Sequence, residues 1–293
     1  MKSAQSINGH RSHPLLGVKM NHANSSSSFL WQTEIDLGFL TYLSDHKIDD
    51  NIIFPAAAYV EMAMQAFKEA GVGVEYEICE FLLARKMLLQ EGVTRQVKTL
   101  LSFEKGVGGK ISINSRQSPE EKWELHGYAR ILKAEPALGP HRNPFSEDAA
   151  FSNATSFYKG MDRRGLNYGP AFQGVEKVWD NESEALGKIR LPDILQDETG
   201  DYLVHPALLD ACLQSSGAIK SATTLDELYI PFGFKRIRFF AKPGREVWSH
   251  SLLHRTGEEG KLLVDIRITD DKGQPVIELQ GFQMHRIRHS KNE

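Results

Sequence analysis

Apolar and polar residues alternate through most of the chain. The runs RQVKTLLSFE (95–104), ISINSR (111–116) and WELHGYARIL (123–132) show this in the first half. It returns in VEKVWD (175–180), ALGKIRL (185–191), KRIRFF (235–240), EVWSHSLLH (246–254), KLLVDIRITD (261–270) and PVIELQGFQMHRI (275–287). Successive side chains of a strand point to opposite faces, so the pattern predicts strands of a sheet buried on one side. Two stretches depart from it, from about Pro55 to Ala70 and from about Pro206 to Ile219. Each puts proline at the expected first helical position and continues with small or apolar residues nearly all round, which predicts a helix enclosed by a curved sheet. The two helices stand about half a chain apart, with strands on both sides of each. That order predicts one strand-and-helix unit, duplicated and fused.

Pro136, Pro140 and Pro144 crowd one short stretch that neither helix nor central strand can cross. The expected organisation is therefore a flexible lead-in over 1–12, a first unit over 13–135, a proline-rich linker over 136–152 and a second unit over 153–289. The serine run Ser25–Ser28 reads as a surface loop. With 41% hydrophobic and 25% charged residues the chain is an ordinary globular one. Its net charge of -3 offers no general attraction for nucleic acid or an anionic membrane surface. Cys79 and Cys212 are the two cysteines, too few for a disulfide framework or a cysteine-built zinc site, and they fit a reducing cytoplasm. No apolar run approaches the ~20 residues of a membrane span, and the first residues lack a signal-peptide core. Without export, the Asn-x-Ser/Thr matches at Asn24, Asn153 and Asn181 carry no weight.

Against this background one carboxylate is out of place. Asp210 follows Leu208 and Leu209 and precedes Ala211, Cys212 and Leu213 on a helix expected to be buried. It reads either as a charge favoured by the helix N-terminus or as a functional acid. Gln214 lies one turn on and can orient it, while apolar walls disfavour the ionised form and predict a raised pKa. A neutral acid can donate a proton, and an imidazole can accept one. His46, nine residues before Pro55, is the candidate base, although a lone histidine is more often structural. Acid and base would then come from different halves. Such a pair suits loss of water from a 3-hydroxyacyl thioester, with the thioester oxygen stabilised by a backbone N–H at the start of a buried helix or at a glycine such as Gly169. In LNYGPAFQGV (166–175), Tyr168 supplies a hydroxyl that could orient substrate, although the run reads equally as a turn with packed rings.

Four ordered blocks give these residues company: HPLLG (13–17), DHKIDDNIIFPAAAYVEMA (45–63), NYGPAFQG (167–174) and HPALLDACLQ (205–214). Through them, over nearly its whole length, the chain resembles the dehydratase domains of modular type I polyketide synthases. HPLLG is similar to that family's opening strand, and the others to its His-x3-Gly-x4-Pro, Tyr-Gly-Pro-x-Phe and Asp-x3-Gln blocks. The resemblance implies an α+β double hot-dog fold, each half a curved antiparallel sheet around one helix. It implies His46 as catalytic base, Asp210 as acid, Gln214 bonded to the acid, Tyr168 lining the site, and Pro55 and Gly169 in support. It further implies a substrate on the phosphopantetheine arm of an acyl carrier protein, with no cofactor or metal of the protein's own. Other polyketide synthase domains and a second copy of the chain would be its partners. Two positions depart from the family pattern, Asp50 and Ala56, each where glycine is usual.

Blander features remain. His250 and His254 lie on one expected strand with no acidic residue beside them in sequence, so no metal is assigned. Gly106 to Gly109 reads as a hairpin turn. The cations Lys235, Arg236, Arg238, Lys242 and Arg245 read as solvated strand charges, with carrier-protein docking as the sharper alternative. The same dyad could instead shift a double bond or close an oxygen ring, and a catalytically silent scaffold is the reading outside enzymology.

Overall fold

The computed structural model describes residues 13–20, 27–73, 75–135, 145–146, 149–220, 227–254 and 258–287. The expected lead-in 1–12, Asn24, part of the serine run and most of the expected linker 136–152 lie outside the described residues.

The first half carries strands β1 (Val18–Met20), β2 (Ser28–Ile35), β3 (His46–Ile48) and β4 (Asn51–Ile52), then helix α1 (Ala56–Glu69). Strands β5 (Tyr76–Leu83), β6 (Arg95–Glu104), β7 (Gly108–Arg116) and β8 (Glu124–Lys133) follow. The second half holds β9 (Ser152–Asn153), α2 (Ala154–Arg163), β10 (Leu166–Tyr168), β11 (Val175–Asp180), β12 (Glu184–Arg190) and α3 (Pro206–Gln214). It ends with β13 (Leu228–Phe239), β14 (Glu246–His254), β15 (Lys261–Thr269) and β16 (Pro275–Ile287). Gly106 falls in the turn between β6 and β7, as its hairpin reading expects.

Thirteen strands join edge to edge in the order β1-β2-β6-β7-β8-β5-β13-β16-β15-β14-β12-β11-β9. The halves meet where β5 pairs antiparallel with β13, Phe81 opposite Phe234. Alternate residues of these strands face inward onto α1 and α3, whose early turns are buried all round. This is the double hot-dog arrangement. A second, three-stranded sheet, β10-β3-β4, links the halves again and carries His46.

Several expectations need correction. His13–Gly17 forms a turn, not the opening strand: the His13 ring nitrogen Nδ1 accepts the N–H groups of Leu15 and Leu16. Gly17 closes it at φ +79, where an added Cβ would stand 2.1 Å from the Gln32 carbonyl oxygen. Pro206 does open α3, whereas Pro55 caps α1 from outside, its carbonyl accepting the N–H of Ala58 at 3.0 Å. Helix α2 was not expected beside a proline-rich stretch. Its apolar face is Phe157, Tyr158 and Met161, and the Asn153 side chain caps it by accepting the Ser156 N–H. His250 and His254 bond separate carboxylates, Glu184 at 3.0 Å and Asp265 at 2.8 Å, both from neighbouring strands. No helix among the described residues is long and apolar enough to cross a membrane.

Candidate active site

His46 begins strand β3. A 3-10 turn over Thr41–Asp45 delivers the chain into β3, and β3 pairs with β10 so that His46 lies opposite Tyr168. Asp45 anchors that junction across the halves. Its carboxylate accepts the Ala171 N–H at 2.8 Å and its carbonyl accepts the Gly169 N–H at 2.8 Å. The imidazole is buried, with the Phe172 and Tyr168 rings 5.1 and 5.5 Å away. Nδ1 sits 2.8 Å from the Ile53 carbonyl, which can only accept, so Nδ1 carries the proton and Nε2 keeps its lone pair.

Asp210 stands in the second turn of α3, 5% exposed. Gln214 Nε2 donates to its Oδ2 at 2.8 Å and to the Phe172 carbonyl at 3.1 Å. The amide is itself fixed, because the Tyr158 hydroxyl donates to Gln214 Oε1 at 3.0 Å and accepts the Val175 N–H at 2.9 Å. Burial pushes the Asp210 carboxyl above its usual range, against the lowering influence of His46 and of the Gln214 bond. With Oδ2 committed as an acceptor, the proton of the neutral acid is directed to Oδ1. Oδ1 and His46 Nε2 are the two atoms facing each other, 3.7 Å apart. That is too long for a hydrogen bond between them and short enough for both to touch one substrate.

The two groups line a largely apolar cavity of about 420 Å³, together with Tyr168, Gln214, Tyr59, Ala56 and Met284. Pro55 does not line it; its part is to set the start of α1. Gly169 is likewise not an oxyanion donor, since its N–H is taken by Asp45. Its lack of a side chain serves the same contact: an added Cβ would fall 2.3 Å from the Asp45 carboxyl carbon. Three of the cations read as a docking patch are engaged within the fold. Arg236 pairs with Glu77 and Glu135, Arg238 with Glu77, and Arg245 with Asp193. Among the described residues no group of three or more His, Cys, Asp or Glu could hold a metal ion.

Asp50 does not line the cavity. Asp49 and Asp50 form the two-residue turn between β3 and β4, at φ +46 and +64 respectively, a left-handed backbone that glycine adopts without steric cost. Asp50→Gly is expected to stabilise the fold by about 0.5–1 kcal/mol, through relief of that conformation. Thermal unfolding should show the gain, and turnover should stay within about twofold because the exposed side chain does not line the cavity.

Sequence reasoning missed Tyr158, Phe172 and Asp45: Asp45 directly precedes the base, whereas Tyr158 and Phe172 act on the acid's side from positions far from Asp210 in sequence. The signal for Tyr158 was present: an Asn cap followed by apolar residues at 157, 158 and 161 is the start and face of an amphipathic helix.

Known proteins resemble this chain in sequence and in fold. A family model described as polyketide synthase dehydratase domain matches residues 13–116, and one described as polyketide synthase dehydratase N-terminal domain matches residues 135–293, more than half of the chain. The spectinabilin polyketide synthase system protein NorA' of Streptomyces orinoci is 30% identical over 94% of this chain, which spans 8% of that protein's length. The dehydratase domain from the CurF module of curacin polyketide synthase superposes with a TM-score of 0.84 at 25% identity, covering 94% of this chain and 99% of that one. The CurK dehydratase matches in two forms described as inactive mutants. One has a histidine changed to phenylalanine, with a TM-score of 0.80 and 26% identity over 94% of this chain and 97% of that one. The other has an aspartate changed to asparagine, with a TM-score of 0.82 and 25% identity over 94% and 100%. By sequence and by fold, in both of its halves, this chain belongs to the polyketide synthase dehydratase family.

Proposed function

We propose that His46 and Asp210 together remove water from a 3-hydroxyacyl thioester, giving the 2,3-enoyl thioester. His46 Nε2 takes the proton from the carbon beside the carbonyl, and Asp210 Oδ1 gives its proton to the departing hydroxyl. His46 ends protonated and Asp210 ionised, so one proton passes back between them, or through water, before the next turn. The Ala56 and Ala57 N–H groups precede the first hydrogen bond of α1, which Ala58 makes to Pro55, and Ala56 lines the cavity, so that helix start suits the charge that builds on the thioester oxygen. The loss of activity described for CurK variants altered at a histidine or an aspartate supports the same pairing of roles.

The thioester arrives, on this reading, on the phosphopantetheine arm of an acyl carrier protein within a multidomain synthase that works as a homodimer in the cytoplasm. Lys86 is exposed and lines the cavity, which makes it a better candidate than the paired β13 arginines for meeting an acidic carrier.

The observation that carries the mechanism is the 3.7 Å between the two reacting atoms. A chain held between base and acid on opposite faces would need a gap of roughly 6 Å, two hydrogen-bond-length contacts plus the chain itself. At the observed spacing both groups approach from one side, so elimination is syn. The test uses 3-hydroxyacyl thioesters carrying deuterium at one of the two C2 positions. For the alkene geometry formed, the diastereomer set for syn removal should lose its label and the other should keep it. The opposite labelling would reject the one-sided dyad.

A further inference from the structure

A second buried carboxylate lies outside the chemistry above. Glu61 on α1 has no exposed surface, yet it accepts the N–H groups of Leu203 at 2.7 Å and Val204 at 2.9 Å. Its third partner is His13 Nε2 at 3.0 Å, and the His13 ring is oriented by the two N–H groups donated to Nδ1. A carboxylate stripped of water is tolerated only where donors of this number and quality replace it. Its donors come from two places far apart in sequence. One is the turn that opens the first half, and the other is the segment running into α3.

That second place is the informative one. Leu203 and Val204 precede His205, the cap of α3, and Asp210 follows in the second turn of the helix. The same segment is also tied to the stretch that delivers His46. The Tyr202 hydroxyl donates to the Tyr42 hydroxyl at 3.3 Å, and the Tyr42 ring lies 5.0 Å from His205 and 6.0 Å from Phe172. Tyr42 belongs to the 3-10 turn that ends one residue before His46. The approaches to the base and to the acid therefore meet in one buried cluster, and Glu61 holds the backbone on the acid's side of it from the helix whose start lines the cavity.

We propose that Glu61 is a positioning residue for the dehydration: by gripping the Leu203 and Val204 N–H groups it fixes where α3 begins, and through α3 the separation of Asp210 from His46. The proposal rests on the dyad reading given above, and it assigns the His13–Gly17 motif a task, since His13 holds the carboxylate in place. In Glu61→Gln the amide NH2 would confront one of those backbone N–H groups, donor against donor, and the segment must shift.

The experiment compares native protein, Glu61→Gln and the sheet-core variant Ile111→Val on a 3-hydroxyacyl thioester, at a temperature where all three are folded. Glu61→Gln is expected to keep KM within about twofold and to lose about 10- to 100-fold in kcat, the scale of a misplacement of about 1 Å. The limb of its pH–rate profile that reports Asp210 should also move, because that group's ionisation depends on its distance from His46. Ile111→Val should change neither. A folded Glu61→Gln with native kcat and an unmoved limb would overturn the proposal, as would a loss that Ile111→Val shares. If Glu61→Gln does not fold, Glu61→Asp, which withdraws the charge by one methylene, is judged by the same criteria. No turnover by the native protein would overturn the dyad reading itself and the positioning role with it.

Discussion

Replacing Asp210 with asparagine is expected to cut turnover by about 10²–10⁴-fold and, at pH 8, to make the protein more stable. The two effects have one cause. The carboxyl is buried, and burial raises its pKa in the folded chain above the unfolded value of about 3.9. Below the unfolded pKa the group is protonated in both states and its titration costs nothing. As the pH rises through the folded pKa, the folded chain must ionise a group that the unfolded chain ionises more readily, and stability falls. Asparagine keeps the shape and the acceptor for Gln214 but has no proton to lose. The variant should therefore gain about 0.5–2 kcal/mol over the native protein at pH 8, and the gain should shrink towards acid pH. Thermal unfolding of both proteins from pH 5 to 8 checks this. A variant no more stable than native at pH 8 would mean that the acid is not strained by its surroundings.

His46→Ala is expected to lower turnover by a similar 10²–10⁴-fold, and the double variant His46→Ala with Asp210→Asn to be at most a few-fold worse than either single one. Base and acid act in one elimination, and once either is missing the other has no step to assist. Independent contributions would multiply instead. The cycle therefore separates a coupled dyad from two residues that each merely shape the cavity. KM should change little in any of the three variants, because neither side chain forms the apolar walls that hold the acyl chain. A double variant whose loss is the product of the single losses would argue against joint action.

Much of this was legible in the sequence, for identifiable reasons. The period-two runs named the strands because their inward faces pack on the same two helices. Asp210 and Gln214 could be paired from their spacing alone, since i and i+4 meet on any helix. What escaped was fixed by contacts between distant segments. Strand β5 reads poorly because Glu77 is buried within it, and its partners Arg236 and Arg238 lie on β13 in the other half. Gly169 looked like a place for close approach by substrate, and the approach is real, but the visitor is Asp45. Tyr158 fixes the orientation of Gln214 from α2, and no spacing rule connects residues 158 and 214. The choice of reacting atoms, Nε2 on His46 and Oδ1 on Asp210, rests on the Ile53 carbonyl and the Gln214 amide, and so becomes readable only in three dimensions.

The account turns on whether these two atoms act on one acyl chain. Intact-mass spectrometry of a carrier protein loaded with a 3-hydroxyacyl group reads this directly after incubation with the native chain, with His46→Ala and with Asp210→Asn. Loss of one water is predicted with the native chain, and near-complete retention with each variant over the same time. An unchanged mass with the native chain, or equal loss with either variant, would contradict it.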